Sequence, residues 1–228
     1  GYAVDLIYID RTPFCNDGTE DLAGYDKDNK TYTFSDVQAD HSIVVTFAED
    51  ADSNGIPDKY KTYTVTASVD GSNNGSISPA TKVVRAGDDV EFTITANADY
   101  ALDYITVNDD VVYANNDAEN PFESVWTLED VQADSAVVAY FGEDTDGDGI
   151  PDEPTYLTVT AQAGANGTIS PSGTVFVKRG ENQTFTIAAN SGYHISDVTV
   201  NSQSVGAVSS YEIENITANA AITASFAV

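Results

Sequence analysis

The chain has 228 residues, with 37 acidic against 9 basic side chains and a formal net charge of −28. That length allows two or three small domains. The charge excludes nucleic acid and anionic membrane surfaces as partners, because phosphate binding needs clustered Lys and Arg; it favours divalent cations and basic partners instead. A single cysteine, Cys15, rules out an intramolecular disulfide. No apolar run approaches the ~20 residues of a membrane span, so no membrane insertion is expected. There is no methionine, and a chain opening Gly1-Tyr2 reads as a processed or truncated product.

In chain order, the first strand-like segment is YAVDLIYID, Tyr2 to Asp10. Arg11 to Lys30 then reads as a polar loop carrying Phe14 and Tyr25. The aromatic-x-apolar pair Tyr32 and Phe34 leads into a closing strand, DVQADHSIVVTF, Asp36 to Phe47. Residues 1–49 are a partial module, lacking strand-like segments that the later units contain. Residues 50–59, around DADSNGIPD, form an acidic linker. Residues 60–142 form a complete module that ends on the same phrase, DVQADSAVVAYF at Asp130 to Phe141. Residues 143–154, around DTDGDGIPD, form a second acidic linker. Residues 155–228 form a third module, closing on NITANAAITASF at Asn215 to Phe226.

Self-similarity at a fixed spacing is the strongest organising signal a sequence carries. Upstream of the closing strand, three segments match one another: Tyr2 to Asp10, Tyr100 to Asn108 and Tyr193 to Asn201. The pairs Trp126 and Leu128, and Tyr211 and Ile213, repeat Tyr32 and Phe34. In the third unit Leu157, Val159 and Ala161 alternate with Thr158 and Thr160. The turn AGANG comes next, then TISP, TVFVKRG and QTFTIAAN. Period-two alternation with Gly/Asn/Asp punctuation predicts half-buried antiparallel strands. The fold class is therefore all-β: a tandem array of small β-sandwich or β-grasp-like modules joined by acidic loops. The first unit lacks the counterpart of Thr64 to Ala98. Either the chain boundary falls inside a repeat, or another chain supplies the missing strands.

The linkers carry the pattern D-x-D-x-[DN]-G, which suits a hard cation held by oxygen ligands on a tightly turned backbone. In the first, Asp50, Asp52, Asn54, the Ile56 carbonyl and Asp58 take the ligand positions. In the second they are Asp144, Asp146, Asp148, the Ile150 carbonyl and Asp152. Gly55 and Gly149 sit at the sharp turn. Where an EF-hand has its final Glu, these loops have Lys61 and Thr155, so neither is a full EF-hand. Calcium is expected at both, more tightly at the second, where Asp148 replaces neutral Asn54. The plainer reading is a solvated acidic spacer. His41, His194 and Cys15 sit in no catalytic or metal-type spacing, and Tyr32, Trp126 and Tyr211 read as core before they read as ligand platforms.

The stretch from LTVTA at Leu157 through TISPSG, QTFTI and DVTVN to ITASF resembles the divergent InlB B-repeat of bacterial surface proteins. The resemblance covers unit 3, most of unit 2 and the second half of unit 1. The acidic joints are similar to thrombospondin type 3 calcium repeats. Together these imply compact β modules in tandem on secreted adhesins, with no catalytic residues to carry over. The expected role is an extracellular, cell-surface stalk or adhesin with calcium-stiffened joints, without enzymatic activity. Expected partners are a host or neighbouring-cell surface ligand, and a second copy through the incomplete first module. Two alternatives stand beside it: a fibre subunit assembled by strand complementation, and the non-catalytic tail of a secreted enzyme.

Overall fold

Strands of alternating Thr and aliphatic residues can bury only one face, so each repeat must pair two such faces to make a core. The structure, a computed structural model, describes residues 1–15, 25–26, 31–51, 53, 55–117 and 119–228. Among them there is no α-helix, only a 3-10 turn at Asp58–Tyr60. By proximity the described chain falls into two compact units. The first holds Gly1–Val65, Lys82–Val90 and Leu128–Asp134, the second Thr66–Thr81, Glu91–Thr127 and Ser135–Val228.

The first repeat contributes β1 (Tyr2–Ile9), β2 (Thr12–Cys15), β3 (Tyr25–Asp26), β4 (Thr31–Tyr32) and β5 (Ile43–Glu49). The second contributes β6 (Thr62–Val69), β7 (Gly75–Ser78), β8 (Thr81–Arg85), β9 (Val90–Ala96), β10 (Tyr100–Val107), β11 (Asp110–Ala114), β12 (Val125–Leu128) and β13 (Ser135–Glu143). The third contributes β14 (Tyr156–Ala163), β15 (Gly167–Ser170), β16 (Gly173–Lys178), β17 (Gln183–Ala189), β18 (His194–Val200), β19 (Gln203–Gly206), β20 (Ser210–Ile213) and β21 (Ala220–Ala227).

The third repeat shows the plan. A five-stranded sheet runs β16-β14-β21-β18-β19, and a three-stranded sheet runs β15-β17-β20. Pairing is antiparallel except between β14 and β21, which run parallel, with Ala161 opposite Ile222. The inner faces meet in one core: Leu157, Val159, Val177, Val198, Ile222 and Ala224 from the larger sheet, Ile169, Phe185 and Ile187 from the smaller. This is a β-sandwich, with Ile216 closing it from a loop. The second repeat has the same strand orders, β11-β10-β13-β6-β8 and β12-β9-β7. The first has β2-β1-β5 and the pair β3-β4. It therefore holds the back half of the plan, and among the described residues β5 pairs only with β1.

The segment read as a loop at Arg11 to Lys30 contains the strands β2 and β3, and β2 has counterparts in β11 and β19. Each of β2, β11 and β19 is a hairpin partner of the strand before it. The turns are Asp10-Arg11, Asn108-Asp109 and Asn201-Ser202, all with positive φ at both residues. That is type I′ geometry, whose twist suits a two-residue hairpin. Without an Asn-Gly pair, the turn signal is weak in the sequence. The turn's first side chain also ties the closing strand. Asp10, Asn108 and Asn201 accept hydrogen bonds from the backbone N–H of Ser42, Ala136 and Ala221 at 2.8, 2.9 and 2.9 Å.

Candidate functional site

The acidic joints are built by aspartates folding the backbone around themselves. In the second, buried Asp144 accepts from the N–H of Gly147 at 2.8 Å and of Gly149 at 3.0 Å. Asp152 accepts from Thr145 N–H at 3.2 Å and from Thr145 Oγ1 at 2.7 Å. Asp146 accepts from Asp148 N–H at 3.2 Å. Gly147 and Gly149 have φ of 74° and 87°, which most side chains disfavour. The result brings carboxylate oxygens of Asp144, Asp146 and Asp152 within 4.8 Å of one another. Asp148 does not join them, and its carboxylate accepts from Ile150 N–H at 2.9 Å.

The first joint repeats the frame. Asp50 accepts from Gly55 N–H at 3.0 Å, and Asp58 from Ala51 N–H at 3.0 Å. These are the counterparts of the Asp144–Gly149 and Asp152–Thr145 bonds, and Gly55 has φ 86°. Asp52 and Asn54 lie outside the described residues, as do the side chains of Phe14, Cys15 and Tyr25. Among the ligand positions, Asp50 is buried and Ile56 is exposed, whereas both Asp144 and Ile150 are buried.

Sequence reasoning missed a second pair of acids that serves the joints. Asp5 on β1 and Asp103 on β10 are repeat equivalents, each next to a register shift in its pairing with the closing strand. A bulge re-aims a side chain. Both are buried, and both meet the segment leaving the following acidic loop. Asp5 takes Lys59 Nζ at 2.6 Å and Tyr60 OH at 2.9 Å. Asp103 takes Thr155 N–H at 3.0 Å and Thr155 Oγ1 at 2.5 Å. Around Asp103, Tyr104 stacks on Tyr140 with centroids 4.2 Å apart and meets Tyr156 edge-on at 4.9 Å. Burial, helped by those two phenols, pushes the Tyr104 hydroxyl up to about 12. Asn116 donates to the Tyr156 carbonyl at 2.9 Å, and Asn219 donates to the Asn116 carbonyl at 2.9 Å. The third repeat is thus tied to the second by direct hydrogen bonds and ring contacts.

The two acids titrate in opposite directions. The hydrogen bond from Lys59 lowers the Asp5 carboxyl below its ordinary 3.8, with Tyr60 helping. Burial raises Asp103 above 3.8, against the bonds from Thr155. Asp5 therefore contributes stability above pH 3.8 that is lost as pH falls through its lowered value. For Asp103 the folded state holds the proton more tightly. Its effect on stability is a penalty that grows as pH rises from 3.8 through the raised value. Asp103→Asn should then change stability at pH 7 by no more than about 1 kcal/mol, since an amide still accepts from Thr155 N–H. Asp5→Asn should destabilise at pH 7 and much less at pH 3. Denaturant midpoints of the two variants from pH 3 to 7 check this; parallel pH profiles would contradict it.

The family model of the divergent InlB B-repeat domain matches residues 63–144 and 157–228. The chain belongs to the divergent InlB B-repeat family. The two matched segments cover the two complete sandwiches. InlB B-repeats are typical of bacterial surface proteins. No curated protein and no solved structure matches the chain. Among the described residues no helix is long and apolar enough to cross a membrane.

Proposed function

We propose that the chain is a non-catalytic stalk or adhesin segment on a bacterial surface, and that its second acidic joint takes calcium. The observation that carries the calcium reading is the convergence of Asp144, Asp146 and Asp152 to within 4.8 Å. Three like charges so close repel one another, and a divalent cation removes the repulsion. The donors are hard oxygens on a tightly turned loop, the set that calcium accepts and that softer metals do not prefer. The chain's own part is to hold Asp144 and Asp152 in place through Gly147, Gly149 and Thr145, leaving further lone pairs for the ion. Asp148 adds charge nearby. The array's role comes from its build: repeats tied by short loops carry a binding surface away from the cell, and a cation at the loop stiffens the tie.

Calorimetry on chelator-stripped protein tests this. Calcium is expected to bind, and Asp146→Asn to weaken binding at the second joint at least tenfold. Asp146 is the test position because it is exposed and its loss leaves the Asp144 turn intact. The first joint is expected to bind more weakly, with neutral Asn54 in place of Asp148. No heat of binding, or binding unchanged by Asp146→Asn, would remove the calcium reading while leaving the surface-repeat reading in place.

A further inference from the structure

We infer that the dipeptide Asn115-Asn116 couples the second acidic joint to the third repeat. A cation in the loop then tightens the seating of the third repeat, and the seated repeat tightens the loop on the cation. The inference rests on the calcium reading above and adds to it the residues that transmit the effect.

The two side chains are adjacent in sequence and serve opposite sides. Asn115 follows β11 and is 1% exposed. A buried carboxamide must find partners for its two donor hydrogens and its acceptor. Asn115 Nδ2 donates to the Gly149 carbonyl at 2.7 Å and to the Leu102 carbonyl at 2.8 Å, and its Oδ1 accepts from Phe122 N–H at 3.0 Å. Its own N–H donates to the Asp103 carbonyl at 2.7 Å. One residue therefore grips both the turn of the acidic loop and the β10 bulge that aims Asp103 at Thr155. Gly149 is held at both ends, its N–H by Asp144 and its carbonyl by Asn115.

Asn116 serves the third repeat. Its Nδ2 donates to the Tyr156 carbonyl at 2.9 Å, at the start of β14. Its carbonyl and its Oδ1 accept from Asn219 Nδ2 at 2.9 and 3.0 Å. Asn219 lies in the loop before β21, and its Oδ1 accepts from Thr158 N–H at 2.9 Å. The counterpart of Asn219 in the second repeat is Asp134, which accepts from Thr64 N–H at 2.8 Å and has no amide to donate. Accepting is thus the repeat's own requirement. The amide of Asn219 is additional, and it is directed at Asn116.

The bonds run without a break from Asp144 through Gly149, Asn115 and Asn116 to Tyr156 and Asn219. A planar peptide joins the two grips, so turning it to release one misplaces the other. Coupling between two sites is reciprocal: what a loop ligand does for the seating of the third repeat, the seating does for the ligand's affinity, by the same factor. The side-chain bonds of Asn116 and Asn219 go to the third repeat and to each other. An effect of either residue on cation affinity is therefore the signature of the link.

Calorimetry and hydrogen exchange on the intact chain, with calcium as the probe, test it. The site of interest is the one lost on Asp146→Asn. Asn116→Ala and Asn219→Asp are each expected to weaken calcium there at least threefold. Asn219→Asp keeps the acceptor for Thr158, as Asp134 does for Thr64, and removes only the donor. Its added negative charge favours a cation, so weakening has the opposite sign from the charge effect. In the parent chain calcium should slow exchange of the Thr155 amide at least threefold, and in Asn115→Ala that slowing should vanish while amides of β13 and β17 keep their protection. If Asn115→Ala does not fold, half-buried Asn116 and exposed Asn219 carry the test. Calcium affinity within threefold of the parent in either variant, or calcium bound without slowing at Thr155, overturns the coupling and leaves the calcium reading standing. No calcium bound by the parent chain removes both.

Discussion

Truncating Phe185 to alanine is expected to destabilise the third repeat by ~3–5 kcal/mol. Phe185 is 0% exposed and stands at the centre of the smaller sheet, opposite Tyr211 on β20 and beside Ile187. Removing its ring takes away transfer energy and leaves a cavity that two facing sheets cannot close, since each is fixed by its own hydrogen bonds. A module of this size has a total stability of only ~4–11 kcal/mol at typical values per residue. The substitution therefore removes much of it, and Phe185→Leu should cost clearly less. The chain supplies its own control. Trp126, the sole tryptophan, lies in the second repeat and stacks on Phe92. Its fluorescence transition should shift little while amides of β17 and β21 lose their protection. A third-repeat midpoint within about 1 kcal/mol of the parent protein would contradict the packing described.

How much of this was legible in the sequence depends on how local each cause is. The alternation at Leu157, Val159 and Ala161 is set by neighbours two residues apart, and all three are buried on one face of β14. The acidic loops were legible as turns for the same reason, since Asp144 and Gly149 meet across five residues. Which carboxylates converge was less so, because Asp148 turns to Ile150 N–H, a choice that spacing does not encode. The buried acids Asp5 and Asp103 went unread. A charged residue in a strand looks like an outward position, and the bulge that turns it toward the next linker has no sequence signature of its own. The hairpins at β11 and β19 went unread because Asn108-Asp109 and Asn201-Ser202 are weaker turn signals than Asn-Gly. Val37 marks the outer limit. It sits in the same five residues as Val131, yet it is exposed where Val131, bonded through its backbone to Gly87 and Asp88, is buried.

Gly167→Val should be the most damaging change at any glycine in the third repeat, and the reason is space rather than backbone freedom. The sequence presents Gly167 as the end of the turn AGANG. The structure makes it the first residue of β15, where a Cβ would lie 2.1 to 2.4 Å from three ring atoms of Phe226. Phe226 is 59 positions away in sequence (226 − 167) on the closing strand. Valine adds that Cβ and two methyl groups, so the ring must leave its place over β15. Overpacking of this kind costs about 1–3 kcal/mol or more, and the displaced ring gives up its own burial as well. The same holds at Gly75, where the atoms of Phe141 would be 2.3 to 2.7 Å away. Gly173 gives the contrast, with φ +81° and nothing within 4 Å of a Cβ. Alanine there meets backbone strain alone, roughly 1 kcal/mol. Thermal melts of Gly167→Val, Gly167→Ala and Gly173→Ala should therefore rank in that order of damage. Pairing Gly167→Ala with Phe226→Leu should recover part of the loss, because the smaller side chain makes room for the new methyl group. If the double variant is no better than the sum of its parts, the ring and the glycine are not the matched pair that the geometry makes them.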